Sequence, residues 1–347
     1  MLKESFGILP DGSKACLYTL KNKSGASISV SDFGSLLVKV YMPDQKGMLR
    51  DIVLGYDNVN DYRTGSGCFG AVVGRCGNRT AHARFQLNGI TYRLTPNENN
   101  NNLHSGPNTY DKRMWTVSNV TDQEITLFLV SPDKDQGFPG CLKIYVTYSL
   151  TDDNCVIIHY QGTCDQDTVL NMTNHSYFNL NGADSQTTVE DHLLKIYADM
   201  YTPVADSASI PTGEITAVRG TPFDFTEEKR IGQDLHVDFD QLRYTGGYDH
   251  NFVLRKGEGI REMAVAVSKE SGIRMRAYTD CPAVQFYTGN SIGNKKGKRG
   301  AIYKDLGGFC LESQYCPNAV NTPNFLSPVL RANDSYDSVT TYKFEVI

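Results

Sequence analysis

The chain has 347 residues, with 34 basic against 39 acidic side chains and a formal net charge of −5. With 40% hydrophobic and 21% charged residues, it has the make-up of a globular chain able to bury a real core. Its mildly acidic balance gives no footprint for nucleic acid or an anionic membrane surface, and no apolar run approaches the ~18 residues of a membrane span.

The start, Met1 to Gly7, lacks the basic head and apolar middle of a signal peptide. The nine cysteines are scattered, with no Cys-x-x-Cys pair and no histidine at metal spacing. This reads as a reduced, cytoplasmic protein without structural zinc. In chain order, Val-, Tyr-, Thr- and Phe-rich runs predict strands near 36–42, 124–130, 143–150, 155–160, 262–268, 273–279 and 340–346. Two hairpins are legible. Phe85 and Leu87 alternate into Asn88-Gly89, and Ile90, Tyr92 and Leu94 alternate out, because Asn-Gly accepts the positive φ of a two-residue loop. The runs on either side of Lys269-Glu270-Ser271-Gly272 form the second. The Asn97–Asn102 stretch is a loop by composition, and Lys295–Arg299 reads as a solvated basic loop. No window holds a capped amphipathic helix over three turns. The expectation is one all-β domain over residues 1–347, a large antiparallel β-sandwich with few short helices.

Five polar clusters interrupt the apolar strands. Gly74-Arg75-Cys76-Gly77-Asn78-Arg79 places two arginines four apart beside glycines, as forked donors for a ligand or as plain surface charges. Leu103-His104-Ser105 follows the Asn-rich loop. Asn171 to Leu180 packs Thr173, Asn174, His175, Ser176 and Tyr177 into a strand-like run, where polar groups must bond one another or a ligand. Gly247-Tyr248-Asp249-His250 enters a strand, with Asp249 able to close an Asx-turn. Glu312, after three apolar residues, is a carboxylate whose pKa desolvation would raise toward a general base's range. No dinucleotide fingerprint, P-loop or Gly-x-Ser-x-Gly motif is present. Two histidines, a glutamate, an aspartate and an arginine suit proton transfer on a hydroxylated small molecule.

Together the clusters resemble the aldose 1-epimerase (galactose mutarotase) family. Gly74-Arg75-x-x-Asn78-Arg79, Leu103-His104, Thr173 to Leu180, Pro222-Phe223-Asp224, Gly247 to Phe252, Val284 to Asn290 and Gly308 to Gln314 follow in that family's order. The resemblance implies the mutarotase-like sandwich fold and interconversion of the anomers of free aldohexoses such as D-galactose and D-glucose. It implies Glu312 as catalytic base, His175 as general acid and His104 as a second histidine near the ring oxygen. Arg79, Asn78, Asp249, Gln285 and Tyr177 are implied as sugar-binding residues. No cofactor and no metal is implied, and the expected partner is a monosaccharide, with no nucleic acid and no membrane, for a monomer or homodimer. Ring opening starts with Glu312 ionised and His175 protonated, so the surroundings of His175 are expected to hold its proton on. A hexose-6-phosphate epimerase is the alternative within the family. A glycosidase using Glu312 with Asp249 and a non-catalytic carbohydrate-binding sandwich are alternatives outside it. Departures from the family pattern, Gly77, Thr80, Ala83, Ser105 and the segment Tyr315–Ala319, lie beside the implied site.

Overall fold

Burial alternates strictly along Leu142–Leu150 and Cys155–Cys164, the period-two pattern of strands with one face in a core. The computed structural model describes residues 1–347. Strands hold 45% of the residues, and the two α-helices, Val59–Thr64 and Asp240–Thr245, have six residues each. No helix is long and apolar enough to cross a membrane.

A nine-stranded antiparallel sheet runs from Thr116–Val120 at one edge to Lys229–Arg230 at the other. Its C-terminal strand, Ser335–Val346, lies between Cys155–Cys164 and Ile273–Thr279 and joins the two halves. Five N-terminal strands, Leu2–Ile8 to Leu49–Asp51, form a meander. A second five-stranded sheet includes Asp249–Leu254, Ala283–Tyr287 and Cys310–Gln314. One core gathers apolar residues from all three sheets, among them Ile28, Leu127, Tyr342, Phe286 and Leu311. Tyrosine hydroxyls tie the layers together: Tyr342 donates to the Leu311 carbonyl at 2.9 Å and Tyr148 to the Ser35 carbonyl at 2.7 Å. The molecule is a large antiparallel β-sandwich.

Both predicted hairpins form. Leu87 pairs with Ile90 around Asn88 and Gly89, whose φ values are 52° and 78°, and Ser268 pairs with Ile273. Two readings need correction. Lys298, placed in a solvated basic loop, is buried and donates to Asp51 at 2.8 Å and to the Val53 carbonyl at 2.7 Å. A buried ammonium must be paired and hydrogen-bonded, and this one pins the Lys295–Lys296 and Ile302–Tyr303 hairpin to the sandwich. Arg75 is also buried. Its guanidinium donates to the Pro139, Gly140 and Ser131 carbonyls rather than to any ligand.

Candidate active site

Asp249, Gln285 and Glu312 come from three adjacent antiparallel strands, with Asp249 opposite Tyr287 and Gln285 opposite both Asn251 and Glu312. Thr173–His175 pairs with Ala71–Val73 and delivers His175. The short pair Arg79–Thr80 and Asn102–Leu103 delivers Asn78, Arg79 and His104. Asn78, His104 and Ser105 have φ values of 59°, 52° and 71°, a left-handed backbone that non-glycine residues adopt mainly where the surroundings enforce it. Ser105 is held there by its hydroxyl, which accepts from the Cys76 N–H at 2.7 Å and donates to the Cys76 carbonyl at 3.0 Å.

These elements enclose a cavity of about 370 Å³ lined by Asn78, Arg79, His104, His175, Tyr177, Asp249 and Glu312. Glu312 and His175 are both buried, with Glu312 Oε1 3.7 Å from His175 Nε2. The other carboxylate oxygen of Glu312 has no partner. Tyr177 stacks on the His175 ring at 4.9 Å, His104 meets it edge-on at 5.5 Å, and the Cys310 thiol is 3.4 Å from His175 Nδ1. Burial, aided by the nearby Asp249 charge and opposed by Arg79, holds the Glu312 carboxyl well above the usual carboxylate range. Burial also pulls His175 down to about 4. The expectation that its surroundings keep His175 protonated is therefore reversed, because desolvation outweighs a backbone hydrogen bond and the attraction of Asp111.

His104 is also held neutral, by burial first and by its neighbours His175 and Arg79 second. Its Nδ1 accepts the Asn78 N–H at 3.1 Å. A neutral imidazole whose Nδ1 accepts carries its proton on Nε2. His104, His175 and Glu312 place potential ligand atoms within 4.8 Å of one another. His104 nevertheless presents a proton where a cation needs a lone pair, so the donor set does not fit a metal ion.

On the opposite side of the cavity, Arg79 donates to Glu98 through Nε at 2.6 Å and Nη2 at 2.8 Å, while its Nη1 lies 4.0 Å from Asp249. Asp249 Oδ1 accepts from Gln285 at 2.7 Å, and Gln285 in turn accepts from Gln314 at 3.2 Å.

The family model described as aldose 1-epimerase matches residues 16–343. The chain belongs to the aldose 1-epimerase family. The aldose 1-epimerase of Escherichia coli (strain K12) is 40% identical over 347 residues, 99% of each chain. The galactose mutarotase of Homo sapiens is 39% identical over 342 residues, 98% of this chain and 97% of that one. Among solved structures, the galactose 1-epimerase from Lactobacillus acidophilus NCFM superposes with a TM-score of 0.85 at 26% identity, covering 99% of this chain and 98% of that one. An aldose epimerase homologue from C. elegans gives a TM-score of 0.87 at 31% identity, covering 96% and 99%.

Of the residues that the epimerase-family resemblance implies, seven line the cavity. Gln285 does not: it is buried behind Asp249 with its amide oxygen and nitrogen both engaged within the protein. Other polar residues of the Asn171–Leu180 run serve the fold. Asn174 accepts from the Ser176 N–H and donates to the Gly70 carbonyl, and Asn179 donates to the Thr187 and Gly307 carbonyls. The atypical segment after Gln314 braces the site. Asn318 donates its backbone N–H to the Arg79 carbonyl at 2.8 Å, and its side chain accepts the Ala81 N–H at 3.0 Å. Sequence reasoning missed Glu98, Tyr287 and Asn290 as lining residues. The last two stand in the quoted Val284–Asn290 motif, whereas Glu98 hides in a stretch that composition marks only as loop.

Proposed function

We propose that the chain is an isomerase that interconverts the α and β anomers of free aldohexoses such as D-galactose and D-glucose. The observation that carries this reading is the buried Glu312–His175 pair facing one cavity across 3.7 Å. Anomer exchange needs a base at the C1 hydroxyl, an acid at the ring oxygen and a grip on the other hydroxyls. Glu312 takes the C1–OH proton while His175 protonates the ring oxygen. The C1–ring oxygen bond breaks, its electron pair passing to that oxygen as the C1 carbonyl forms. Rotation about C1–C2 presents the other carbonyl face, the ring oxygen attacks it, and both protons return. Nothing is oxidised, transferred or consumed.

His104, as an Nε2–H donor, stabilises charge developing on the ring oxygen. Arg79 Nη1 and the Asp249 carboxylate hold hydroxyls, with Asn78 and Tyr177 shaping the cavity wall. Gln285 works at one remove, by orienting Asp249. Asp249 is itself held by Gln285 and faces Arg79, which suits a hydroxyl acceptor better than a glycosidase nucleophile. The chain is read as one domain over residues 1–347, because a single core joins residues from Tyr18 to Phe344. It acts in the cytoplasm as a monomer or homodimer.

Polarimetry on freshly dissolved α-D-galactose and α-D-glucose tests the reading. An enzyme-dependent acceleration toward the equilibrium rotation is expected for at least one sugar. No acceleration at micromolar enzyme would overturn it.

A further inference from the structure

The Asn97–Asn102 stretch is more than a connecting loop. Asn97 caps Leu103 at both backbone groups, accepting its N–H at 2.7 Å and donating to its carbonyl at 2.9 Å. The Asn101 side chain accepts the His82 N–H at 3.0 Å, its backbone N–H donates to the Glu98 carbonyl at 2.9 Å, and Asn102 donates to the Thr95 carbonyl at 2.7 Å. Asparagine amides replace the missing sheet ladder, as they do in Asx-turns. The result is a fixed platform that ends at His104 and presents one charged side chain, Glu98, to the cavity.

We propose that Glu98 is a positioning residue: it fixes Arg79 for sugar binding and, with Asp249, gives the cavity an acidic rim that restricts it to uncharged aldoses. This rests on the mutarotase reading. Glu98 takes two of the three guanidinium nitrogens in a fork, at 2.6 and 2.8 Å, the geometry in which an arginine–carboxylate pair is strongest and most directional. Only Nη1 is left toward Asp249, at 4.0 Å. That gap leaves Nη1 free to donate and Asp249 free to accept when a diol enters. Without Glu98, the guanidinium is free to turn its fork onto Asp249 and consume both groups. The charges point the same way. Arg79 is the one cation lining the cavity, against the carboxylates of Glu98 and Asp249, while Glu312 holds its proton and both lining histidines are neutral. A phosphate or carboxylate on the sugar would sit within a screening length of about 10 Å of this rim.

Steady-state polarimetry on the full chain tests the inference with Glu98→Ala, Glu98→Gln and two probes, D-galactose and D-galactose 6-phosphate. Glu98→Ala should raise KM for galactose about tenfold with kcat within about threefold, the signature of lost binding rather than lost chemistry. In Glu98→Gln the amide oxygen still accepts from Arg79, so KM should stay within about threefold of the native value. The native chain should use galactose 6-phosphate at least about tenfold less efficiently than galactose, and Glu98→Gln should narrow that ratio about threefold as one repulsive charge is lost. An unchanged KM in Glu98→Ala, a loss confined to kcat, or a phosphate ratio that Glu98→Gln leaves unmoved would each overturn the proposal. A native chain inert toward every free aldose would instead overturn the functional reading beneath it.

Discussion

The backbone N–H of Asn78 donates to Nδ1 of His104 across 3.1 Å, which fixes the histidine as a neutral donor through Nε2. Its strained backbone, with φ at 52°, keeps the ring against that N–H. A group that stays neutral adds hydrogen bonding to the reaction but no titration. His104→Ala should therefore lower kcat/KM about 10²-fold, the scale of losing one preorganised donor. His104→Gln should recover part of that loss through its amide N–H. Neither variant should move the limbs of the pH–rate profile, and a displaced limb would show that His104 carries a titrating proton after all.

Glu312→Gln should abolish most turnover while keeping galactose binding within about tenfold, since general base catalysis contributes typically ~10²–10⁴ in rate. The amide retains the shape of a side chain that is 3% exposed but accepts no proton. Isothermal titration beside polarimetry separates the two effects. Near-native turnover would remove Glu312 from the mechanism.

Arg79→Ala should raise KM and lower kcat to a lesser degree, because a loosely held ring also loses its alignment for proton transfer. It has a second consequence here. Glu98 and Asp249 would be left facing each other without their shared cation. Asp249→Asn should be milder, as its amide oxygen still accepts one hydroxyl. Native KM values in both variants would place sugar binding elsewhere.

The seven named strand runs and both hairpins were legible because each leaves a local signature, as do the polar clusters, whereas the cavity-lining seven were singled out within those clusters by the family resemblance. Alternation marks the strands, Asn-Gly marks the tight turn, and a titratable group among apolar neighbours marks a cluster without deciding its role. Gln285 shows the limit of that reading. A strand position opposite Glu312 suits a ligand contact, and only the structure reveals that its amide bonds Asp249 and Gln314. Lys298 and Arg75 failed for a related reason. Their charge suggests solvent or ligand, while their partners, Asp51 for one and the carbonyls of 131–140 for the other, are distant in sequence. Glu98 was hidden because its platform is made by asparagine side chains, and composition cannot tell a locked turn from a loose one.

Protonation of the Glu312–His175 pair sets the pH dependence. Burial raises the carboxyl well above its ordinary range and lowers the imidazole to about 4, so over a wide interval the pair holds one proton, resting on Glu312. One proton is what the reaction needs. Opening that starts with Glu312 as base and His175 as acid ends with the proton on Glu312 and His175 neutral, which is the starting state for closure. A second proton, taken up as pH falls, removes the base. Loss of the last proton, as pH rises, removes the acid. The acid limb therefore follows the lower-titrating group, His175, and the alkaline limb follows Glu312, the opposite of what ordinary pKa values of ~6.5 and ~4.3 would give. The apparent values belong to the pair rather than to either side chain. The expected kcat/KM profile, corrected for spontaneous mutarotation, is a bell whose acid limb falls only near pH 4 and whose alkaline limb lies above the usual carboxylate range. His175→Asn should remove the acid limb and Glu312→Gln the alkaline one, with residual rates read at high enzyme concentration. Because both anomers pass through one open-chain aldehyde, the profile should be the same from either side. An acid limb near ~6.5 would mean that His175 titrates as a solvated imidazole, and limbs that differ between the α and β anomers would mean that one pair does not serve both faces.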